Sequence, residues 1–516
     1  MPINKEAITP TLLPASATTW RCATEHVTSD PALSPVRRRP GRGLLPARRG
    51  ATTVLVGAAM WSCLVFLTAL VPAWALHTPL GRFFPPAPPH RVDAAAGQPL
   101  FLTPYIQNGK MQEGRKLSRV TDLQTDVDSY AGLLTVNATH NSNMFFWFFP
   151  AKNHAADAPV VLWLQGGPGG SSMFGLFVEN GPFSVDAKMR LHPRDFSWHN
   201  THSMLYIDNP VGTGFSFTKS NDGYANNEED VARDLYSALA QFFTLFDSYQ
   251  GNDFYVTGES YAGKYVPAIS YKIHQENPSA KLKINLKGLA IGDGLCDPID
   301  QLDYGDFLYN VGLITARDRD MFIHQQNVTE DLIRRGEYLQ AFAAFGSAMG
   351  EYELITGLGF VYNYLLQSTP KEFSYYPAFL TSTATRKAIH VGSLVYHGGT
   401  EVYVHLEGDF MRSVRGKIVT LLDNDYNVMI YNGQMDVIID YIGTENFVRK
   451  LPWKGQQKFI NSTRHIWRVD GEVAGYERHA GALTQVMVRN AGHILPFDQP
   501  KWAYDMISRF TFEKTF

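Results

Sequence analysis

The chain has 516 residues, of which 45% are hydrophobic and 18% are charged, and its formal net charge is −3. This composition is typical of a globular protein that is long enough to bury a large core. No part of the body is basic enough to attract a phosphate backbone, so the composition argues against nucleic-acid binding as a function.

The first 75 residues have the pattern of a targeting segment. An apolar run at 51–76 is long enough to span a bilayer and ends in Ala-Trp-Ala at 73–75, which fits a signal cleavage site. We favour a secretory signal cut after Ala75, although an uncleaved membrane anchor is also open, and a start at Met60 would shorten the signal. The basic residues before the run are Arg37, Arg38, Arg39, Arg42, Arg48 and Arg49.

A stiff linker separates this segment from the body. Residues 76–97 include the proline-rich stretch 83–89, so we expect the folded domain to span 98–516. Two of the three cysteines precede the cleavage site, which leaves Cys296 alone in the mature chain. An internal disulfide is therefore excluded there, and a buried apolar role for Cys296 is favoured over a nucleophilic one.

Three sequons support entry into the secretory pathway. They are centred on Asn137, Asn327 and Asn461, and each has Thr two positions later. Together with the signal, they predict a glycosylated protein that is secreted or lies in the lumen of a lysosome or endosome. The sequence does not distinguish these destinations, and it leaves a homodimer open.

The body reads as alternating strands and helices, with an antiparallel pair first. Several strands are continuous apolar runs, as expected when helices cover both faces of a parallel sheet. The predicted strands are 130–136, 143–149, 160–164, 203–208, 254–257, 286–293, 427–432 and 483–488, and the predicted helices begin after Asn226 and at Lys264. Helical periodicity dominates at about 300–385, which we interpret as a helical cap insertion over the edge of the sheet.

The stretch 254–263 has the context of a nucleophile elbow. Four β-prone residues lead into Gly-Glu-Ser-Tyr-Ala-Gly, and a helical pattern follows. A sharp strand-to-helix turn at Ser260 requires small neighbours, and Gly258 and Ala262 meet that demand, although Ala262 replaces the second Gly of the usual pattern. By itself the motif could also be an ordinary turn with a capping Ser.

Candidate partners for this serine lie at the ends of two later strands. Asp436 follows one strand and a Gly-containing turn, and His493 follows the last strand. The order Ser260, Asp436, His493 is that of an α/β-hydrolase triad, in which Ser is the nucleophile, His the base and Asp the residue that orients it. The sequence thus predicts an α/β-hydrolase fold with a mostly parallel central sheet, and no metal or cofactor is needed.

A Gly-rich loop at 165–172 follows the strand 160–164. Its spacing matches neither nucleotide-binding fingerprint, and no Lys-Ser or Lys-Thr follows it. Its exposed N–H groups are better suited to stabilise an oxyanion.

These motifs together resemble the serine carboxypeptidases, the family of carboxypeptidase Y and the lysosomal protective protein. The resemblance covers about residues 100–516 and is closest to the vitellogenic-like branch. The motifs that carry it are Gly-Gly-Pro-Gly at 166–169, Phe-Gly-Leu-Phe-Val-Glu-Asn-Gly-Pro at 174–182, Asn-Pro-Val-Gly-Thr-Gly-Phe-Ser at 209–216, Gly-Glu-Ser-Tyr-Ala-Gly-Lys-Tyr-Val-Pro at 258–267 and Gly-His at 492–493.

The resemblance implies roles for six further residues. The N–H groups of Gly167 and Tyr261 would form the oxyanion hole. The family binds the free C-terminal carboxylate of its substrate with an Asn, a Gly and a Glu, which a second Glu supports. These places are held here by Gln165, Gly166, Glu259 and Glu179. Two Glu side chains can accept a carboxylate if the pair keeps a proton, which burial and like charge promote.

The chain departs from the family pattern at two positions. Gln165 replaces the usual Asn, which moves the amide donor by one methylene, and Gln434 stands where a second Asp is common, before Asp436. The first change bears on affinity and specificity, and the second on how the Asp436 turn is held.

The function predicted from this resemblance is a serine-type carboxypeptidase that removes C-terminal residues from peptides through an acyl-enzyme at acid pH. Its partners would be peptides with a free C-terminus, and a membrane only if the apolar segment is not cleaved. Two alternatives use the same scaffold: an acyltransferase that passes the acyl group to an alcohol, and a non-catalytic protective partner. An intact triad disfavours the latter as the sole role.

Overall fold

The structure is a computed structural model that describes residues 86–89, 93–123 and 125–516. The predicted targeting segment, most of the predicted linker and the apolar run at 51–76 lie outside these residues. No helix within the described ranges is long and apolar enough to cross a membrane.

The fold is built on one large sheet. Ten strands form it in the order β1-β2-β6-β3-β8-β9-β11-β14-β13-β12, and two short two-stranded ribbons, β7 with β10 and β4 with β5, lie beside it. The strands are β1 Tyr130–Asn137, β2 Ser142–Phe149, β3 Val160–Leu164, β4 Phe183–Val185, β5 Leu191–Pro193, β6 Ser203–Ile207, β7 Thr213–Gly214, β8 Phe254–Glu259, β9 Leu286–Gly292, β10 His397–Gly398, β11 Asn427–Gly433, β12 His465–Val469, β13 Glu472–Ala480 and β14 Leu483–Val488.

The six central strands are parallel to one another: β6, β3, β8, β9, β11 and β14. At each edge of the sheet two further strands are added by antiparallel pairing. The prediction of a mostly parallel sheet with an early antiparallel pair is confirmed. The hairpin of β12 and β13 was not predicted. Its strands mix exposed and buried residues because the hairpin lies at an edge of the sheet.

Helices pack on the sheet, and the central strands are buried along nearly their whole length. The α-helices in the described residues are α1 Thr103–Gln107, α2 Met111–Ser118, α3 Glu228–Leu245, α4 Ala262–Glu276, α5 Tyr304–Asn310, α6 Ala316–Arg334, α7 Tyr338–Thr356, α8 Tyr376–Leu380, α9 Thr383–Ala388, α10 Thr400–Phe410, α11 Arg415–Asp423, α12 Tyr441–Arg449, α13 Gln456–Ile460, α14 Leu495–Asp498 and α15 Pro500–Thr511. Five of them, α5 to α9, lie between Tyr304 and Ala388, and the helical insertion was predicted at about 300–385.

Local sequence explains the elements that flank the elbow. The side chain of Asn227 accepts the N–H of Asp230 and so caps α3, whose apolar stripe faces the core. Every residue of β3 and β8 is buried, which matches the apolar sequence of β3 and the mainly apolar start of β8. Cys296 is also buried, as predicted, and its Sγ contacts the carbonyl oxygen of Gly263 at 3.3 Å.

Parallel strands end at the same edge of a sheet, and this edge collects the predicted site. Gln165 follows β3, Ser260 follows β8, Asp436 lies shortly after β11, and His493 lies shortly after β14. The fold thereby gathers residues from four separate parts of the chain.

Candidate active site

Ser260 occupies a strained turn between β8 and α4. Its φ is +63°, in the left-handed region that non-Gly residues rarely adopt. The turn is held by backbone hydrogen bonds: the N–H of Ser260 donates to the Gly292 oxygen at 3.0 Å, and its carbonyl oxygen accepts the N–H groups of Gly263 at 2.9 Å and Leu295 at 3.0 Å. This is the strand–turn–helix geometry of a nucleophile elbow.

Close packing explains the small residues around the elbow. A Cβ at Gly258 would lie 2.4 Å from the carbonyl oxygen of Leu164 and 2.9 Å from the Cβ of Ala262. Position 258 therefore has no room for a side chain, whereas position 262 accommodates one methyl group. The helix begins at Ala262, two residues earlier than predicted.

Asp436 and His493 form a buried pair. The Nδ1 atom of His493 lies 2.7 Å from Oδ2 of Asp436, and both side chains are inaccessible to solvent. Burial lowers the pKa of His493 to about 4 and raises that of Asp436 well above its ordinary value. The Nε2 atom of His493 has no hydrogen-bond partner among the described residues, so it is available to exchange a proton with another group.

The turn that carries Asp436 is held although position 434 is Gln and not Asp. Oδ1 of Asp436 accepts the N–H groups of Ile438 at 2.9 Å and Ile439 at 3.3 Å. The backbone N–H of Gln434 donates to the Val488 carbonyl oxygen at 3.0 Å, so the end of β14 holds the position where the family commonly has Asp.

Asp293 is a second carboxylic acid beside the Asp436–His493 pair. One oxygen or nitrogen atom each of Asp293, Asp436 and His493 lie within 4.8 Å of one another, and Oδ1 of Asp293 accepts the N–H of Gly433 at 2.8 Å. Burial and the neighbouring Asp436 raise the pKa of Asp293 well above its ordinary value. These three residue types can hold a metal, but Asp436 and His493 already bond to each other, so the arrangement is accounted for by hydrogen bonding.

The Gly-rich loop at 165–172 packs directly on the elbow. A Cβ at Gly166 would lie 2.5 Å from the backbone nitrogen of Tyr261 and 2.8 Å from the Cβ of Ser260, so only glycine fits. Gly167 has a φ of +118°, another conformation that favours glycine. No acceptor among the described residues takes the N–H of Gly167 or of Tyr261. Both donors are therefore free to bind an oxyanion.

A buried ion pair holds the start of α4. The Nζ atom of Lys264 donates to Oδ2 of Asp409 at 2.9 Å and to the Phe410 carbonyl oxygen at 3.1 Å, and the Tyr261 hydroxyl lies 3.3 Å from the same carboxylate. These contacts connect α10 with α4, the helix that follows the elbow, and restrain Tyr261 through its hydroxyl group.

Two buried Glu residues and one Gln lie beside the elbow. The Nε2 atom of Gln165 donates to Oε1 of Glu259 at 2.7 Å, while its Oε1 accepts the indole N–H of Trp163 at 3.0 Å. Glu179 lies on a π turn, Gly175–Glu179. Its two carboxyl oxygens and Oε2 of Glu259 make no hydrogen bond of good geometry within the described chain.

The two carboxyl groups influence each other's ionisation. Burial raises the pKa of Glu179 to about 8, against the opposing effect of the Arg194 charge. Burial, and then the charge of Glu179, raise the pKa of Glu259 well above its ordinary value. Two such groups in one dry site retain at least one proton at acid pH.

The structure brings together most of the residues that the sequence singled out. Those on the carboxyl edge of the sheet are Ser260, Asp436, His493, Gly166, Gly167, Tyr261, Gln165, Glu259 and Glu179. The sequon residues lie elsewhere: Asn327 and Asn461 are exposed, and Asn137 is half-buried.

Two residues at the site were missed. Asp293 had a signal, because it lies between two glycines directly after a strand. Asp436 likewise follows a strand closely. Tyr362 had none. It comes from an irregular stretch between α7 and α8, yet its ring stacks on that of His493 with centroids 4.5 Å apart and an interplanar angle of 25°.

Comparison with known proteins agrees with this geometry. The sequence profile of the peptidase S10 family, described as serine carboxypeptidase, matches residues 120–513. The chain belongs to the serine carboxypeptidase family. The "probable serine carboxypeptidase CPVL" of Homo sapiens is 49% identical to this carboxypeptidase over 89% of the chain and 98% of the human protein.

Insect relatives and a solved structure extend the comparison. The "venom serine carboxypeptidase" of Apis mellifera is 50% identical over 82% of this chain and 92% of its own, and the "vitellogenic carboxypeptidase" of Aedes aegypti is 45% identical over 81% and 90%. The crystal structure of Kex1Δp, a prohormone-processing carboxypeptidase from Saccharomyces cerevisiae, superposes with a TM-score of 0.71 at 24% identity, over 77% of this chain and 96% of Kex1Δp. The α/β-hydrolase fold and the family assignment are thus both confirmed.

Proposed function

We propose that this serine carboxypeptidase removes C-terminal residues from peptides at acid pH, and that its buried Glu pair recognises the free carboxylate. The observation that carries the proposal is the position of Glu259, directly before Ser260, together with the raised pKa of both Glu259 and Glu179. A protonated carboxyl pair can accept a substrate carboxylate, which two ionised carboxylates would repel.

The chemistry would proceed through an acyl-enzyme. Ser260 attacks the scissile carbonyl carbon while His493 takes the hydroxyl proton at Nε2, and Asp436 holds the imidazole by its hydrogen bond to Nδ1. The N–H groups of Gly167 and Tyr261 stabilise the oxyanion. His493 then protonates the leaving amine, and water enters by the same steps in reverse to release the shortened peptide.

Carboxylate recognition would place the substrate C-terminus between the Gly-rich loop and the Glu pair. The oxygens of Glu179 and Glu259 would hold the shared proton that binds the substrate carboxylate, and the N–H of Gly166 would be a further donor to it. Gln165 already donates its amide to Glu259, so it supports the pair and fixes its orientation.

This proposal predicts different pH profiles for a peptide acid and its C-terminal amide. The pair is fully protonated at acid pH and loses its proton progressively as the pH rises towards the pKa of Glu179, about 8. The KM for the acid should therefore begin to rise near neutrality and increase by about tenfold or more once the site is anionic, while kcat changes less. The amide carries no charge to repel, and its KM should stay nearly flat. Both substrates should lose activity below about pH 4, where His493 becomes protonated.

The matched control is Glu179→Gln, which keeps a neutral side chain of the same shape at every pH. In this variant the rise of KM with pH for the peptide acid should shrink markedly. Parallel KM profiles for acid and amide in the wild-type enzyme would show that the Glu pair does not recognise the carboxylate. An ester hydrolase or an acyltransferase would then be the better account.

We also infer that the protein enters the secretory pathway and carries a glycan on at least one of Asn137, Asn327 and Asn461. The exposure of Asn327 and Asn461 supports this inference, as does the venom origin in the name of one relative. Protein purified from a eukaryotic host should lose mass on glycosidase treatment, and N-terminal sequencing should start near Leu76.

A variant with all three sequon residues changed to Gln provides the control, because it should show no glycosidase-sensitive mass. Recovery of the wild-type protein with residues 1–50 still attached and no such mass would contradict the inference.

A further inference from the structure

A short segment of the helical region contacts both loops that carry the Asp436–His493 pair. We call residues 360–364 the bridge segment. It lies between α7 and α8, has no regular secondary structure, and is nevertheless buried: Phe360, Val361 and Tyr362 are 2–3% exposed. Buried irregular backbone must find hydrogen-bond partners, and here it finds them at the active site.

The first half of the bridge segment binds the Asp436 turn. The carbonyl oxygen of Val361 accepts the N–H groups of Val437 at 3.1 Å and Ile438 at 3.3 Å, and the N–H of Tyr364 donates to the Met435 oxygen at 3.1 Å. The backbone on both sides of Asp436 is thus fixed to this segment.

The same segment binds the His493 loop. The carbonyl oxygen of Tyr362 accepts the N–H of His493 at 2.6 Å, and a Cβ at Gly492 would lie 2.1 Å from that oxygen. The Nδ2 atom of Asn363 donates to Oδ2 of Asp498 at 2.9 Å, and this carboxylate also accepts the N–H of Gly492 at 2.7 Å.

We propose that the bridge segment positions the catalytic pair and that Tyr362 is a positioning residue for the His493 imidazole. The stacked ring restricts rotation of the imidazole and excludes water from one of its faces. When His493 takes the serine proton it becomes a cation, and the face of an aromatic ring attracts a cation more than a neutral imidazole. The contact thus contributes more to the transition state than to substrate binding. This proposal rests on the function proposed above.

Kinetics of Tyr362→Leu and Tyr362→Phe test the proposal. Tyr362→Leu should lower kcat by about 10- to 100-fold, as expected when a catalytic group is misplaced by a fraction of an ångström, and should change KM less than threefold. Tyr362→Phe keeps the stacked ring and should stay within about twofold of the wild-type kcat.

The packing control is Tyr352→Leu, which removes an equally buried ring from α7. It should lower the thermal unfolding midpoint and leave kcat within about twofold.

A second readout does not depend on turnover. The short hydrogen bond between His493 Nδ1 and Asp436 Oδ2 should give a low-field proton resonance in the wild-type protein. This resonance should persist in Tyr362→Phe. It should broaden or vanish in Tyr362→Leu, because the imidazole is less restrained and its Nδ1 proton exchanges faster with water. If Tyr362→Leu does not fold, Tyr362→Met serves in its place, because its flexible unbranched side chain adapts to the site without an aromatic face.

A wild-type resonance and kcat in Tyr362→Leu would overturn the proposal, as would a loss in Tyr362→Phe equal to that in Tyr362→Leu. Failure of the proposed function would give a different result. The wild-type enzyme would then be inactive on peptide acids, while the resonance would still respond to the Tyr362 variants.

Discussion

Ser260→Ala should abolish peptidase activity and leave the fold intact, with kcat reduced by at least about 10⁴-fold. The substitution removes only one oxygen atom, and the elbow is held by backbone hydrogen bonds that alanine preserves. Without Oγ no acyl-enzyme forms, and the remaining rate comes from the oxyanion hole and binding alone, as in other triad hydrolases. The measurement is single-turnover and steady-state hydrolysis of a blocked dipeptide.

The control for this variant is thermal unfolding, which should give a midpoint close to that of the wild type. A correctly folded Ser260→Ala protein with wild-type turnover would show that Ser260 is not the nucleophile. Trapping by an organophosphonate with mass detection on the Ser260 peptide adds an independent check, since the label should be absent from the variant.

Asp436→Asn should reduce kcat by about 10⁴-fold while preserving the geometry of the pair. The two N–H groups of Ile438 and Ile439 point at Oδ1, so the oxygen of the new amide will take that place and its NH₂ group will face Nδ1 of His493. Nδ1 must then be the acceptor, and the ring carries its proton on Nε2. A ring in that tautomer cannot accept the proton of Ser260.

Steady-state kinetics with a peptide and an activated ester check this prediction. Both substrates should lose kcat with little change in KM, and a small rescue at high pH is expected as the serine ionises without help. Activity within tenfold of the wild type would mean that Asp436 does not set the tautomer, and it would direct attention to the adjacent Asp293.

Much of the fold could be predicted because its signals are local. The strand β3 and the first half of β8 are short, mainly apolar runs that lead into glycine-containing segments, and Asn227 marks a helix start directly. The hairpin of β12 and β13 was missed although Asp-Gly at 470–471 marked its turn. Its strands mix exposed and buried residues without a clear apolar run, and such edge strands are recognised through their pairing partner.

The site was predictable as far as it follows chain order. Ser260, Asp436 and His493 lie near strand ends in an order that points to a hydrolase, and their roles stay a prediction. The contact of Tyr362 with His493 could not have been predicted, since 131 positions separate them and an irregular segment brings the tyrosine to the site. The position of Asp293 at a strand end was visible in the sequence. Its closeness to Asp436, which marks it as a residue of the site rather than of an ordinary turn, is seen only in the structure.

The bridge segment has a consequence for how the enzyme turns over. Four backbone hydrogen bonds join residues 361–364 to the loops of Asp436 and His493. At about 1 kcal/mol each, they hold the separated state to roughly one molecule in a thousand. The bridge segment is therefore docked on both loops nearly all of the time, and any motion of the helical region that separated them would pass through a minor state. A peptide thus meets a catalytic centre that is already assembled.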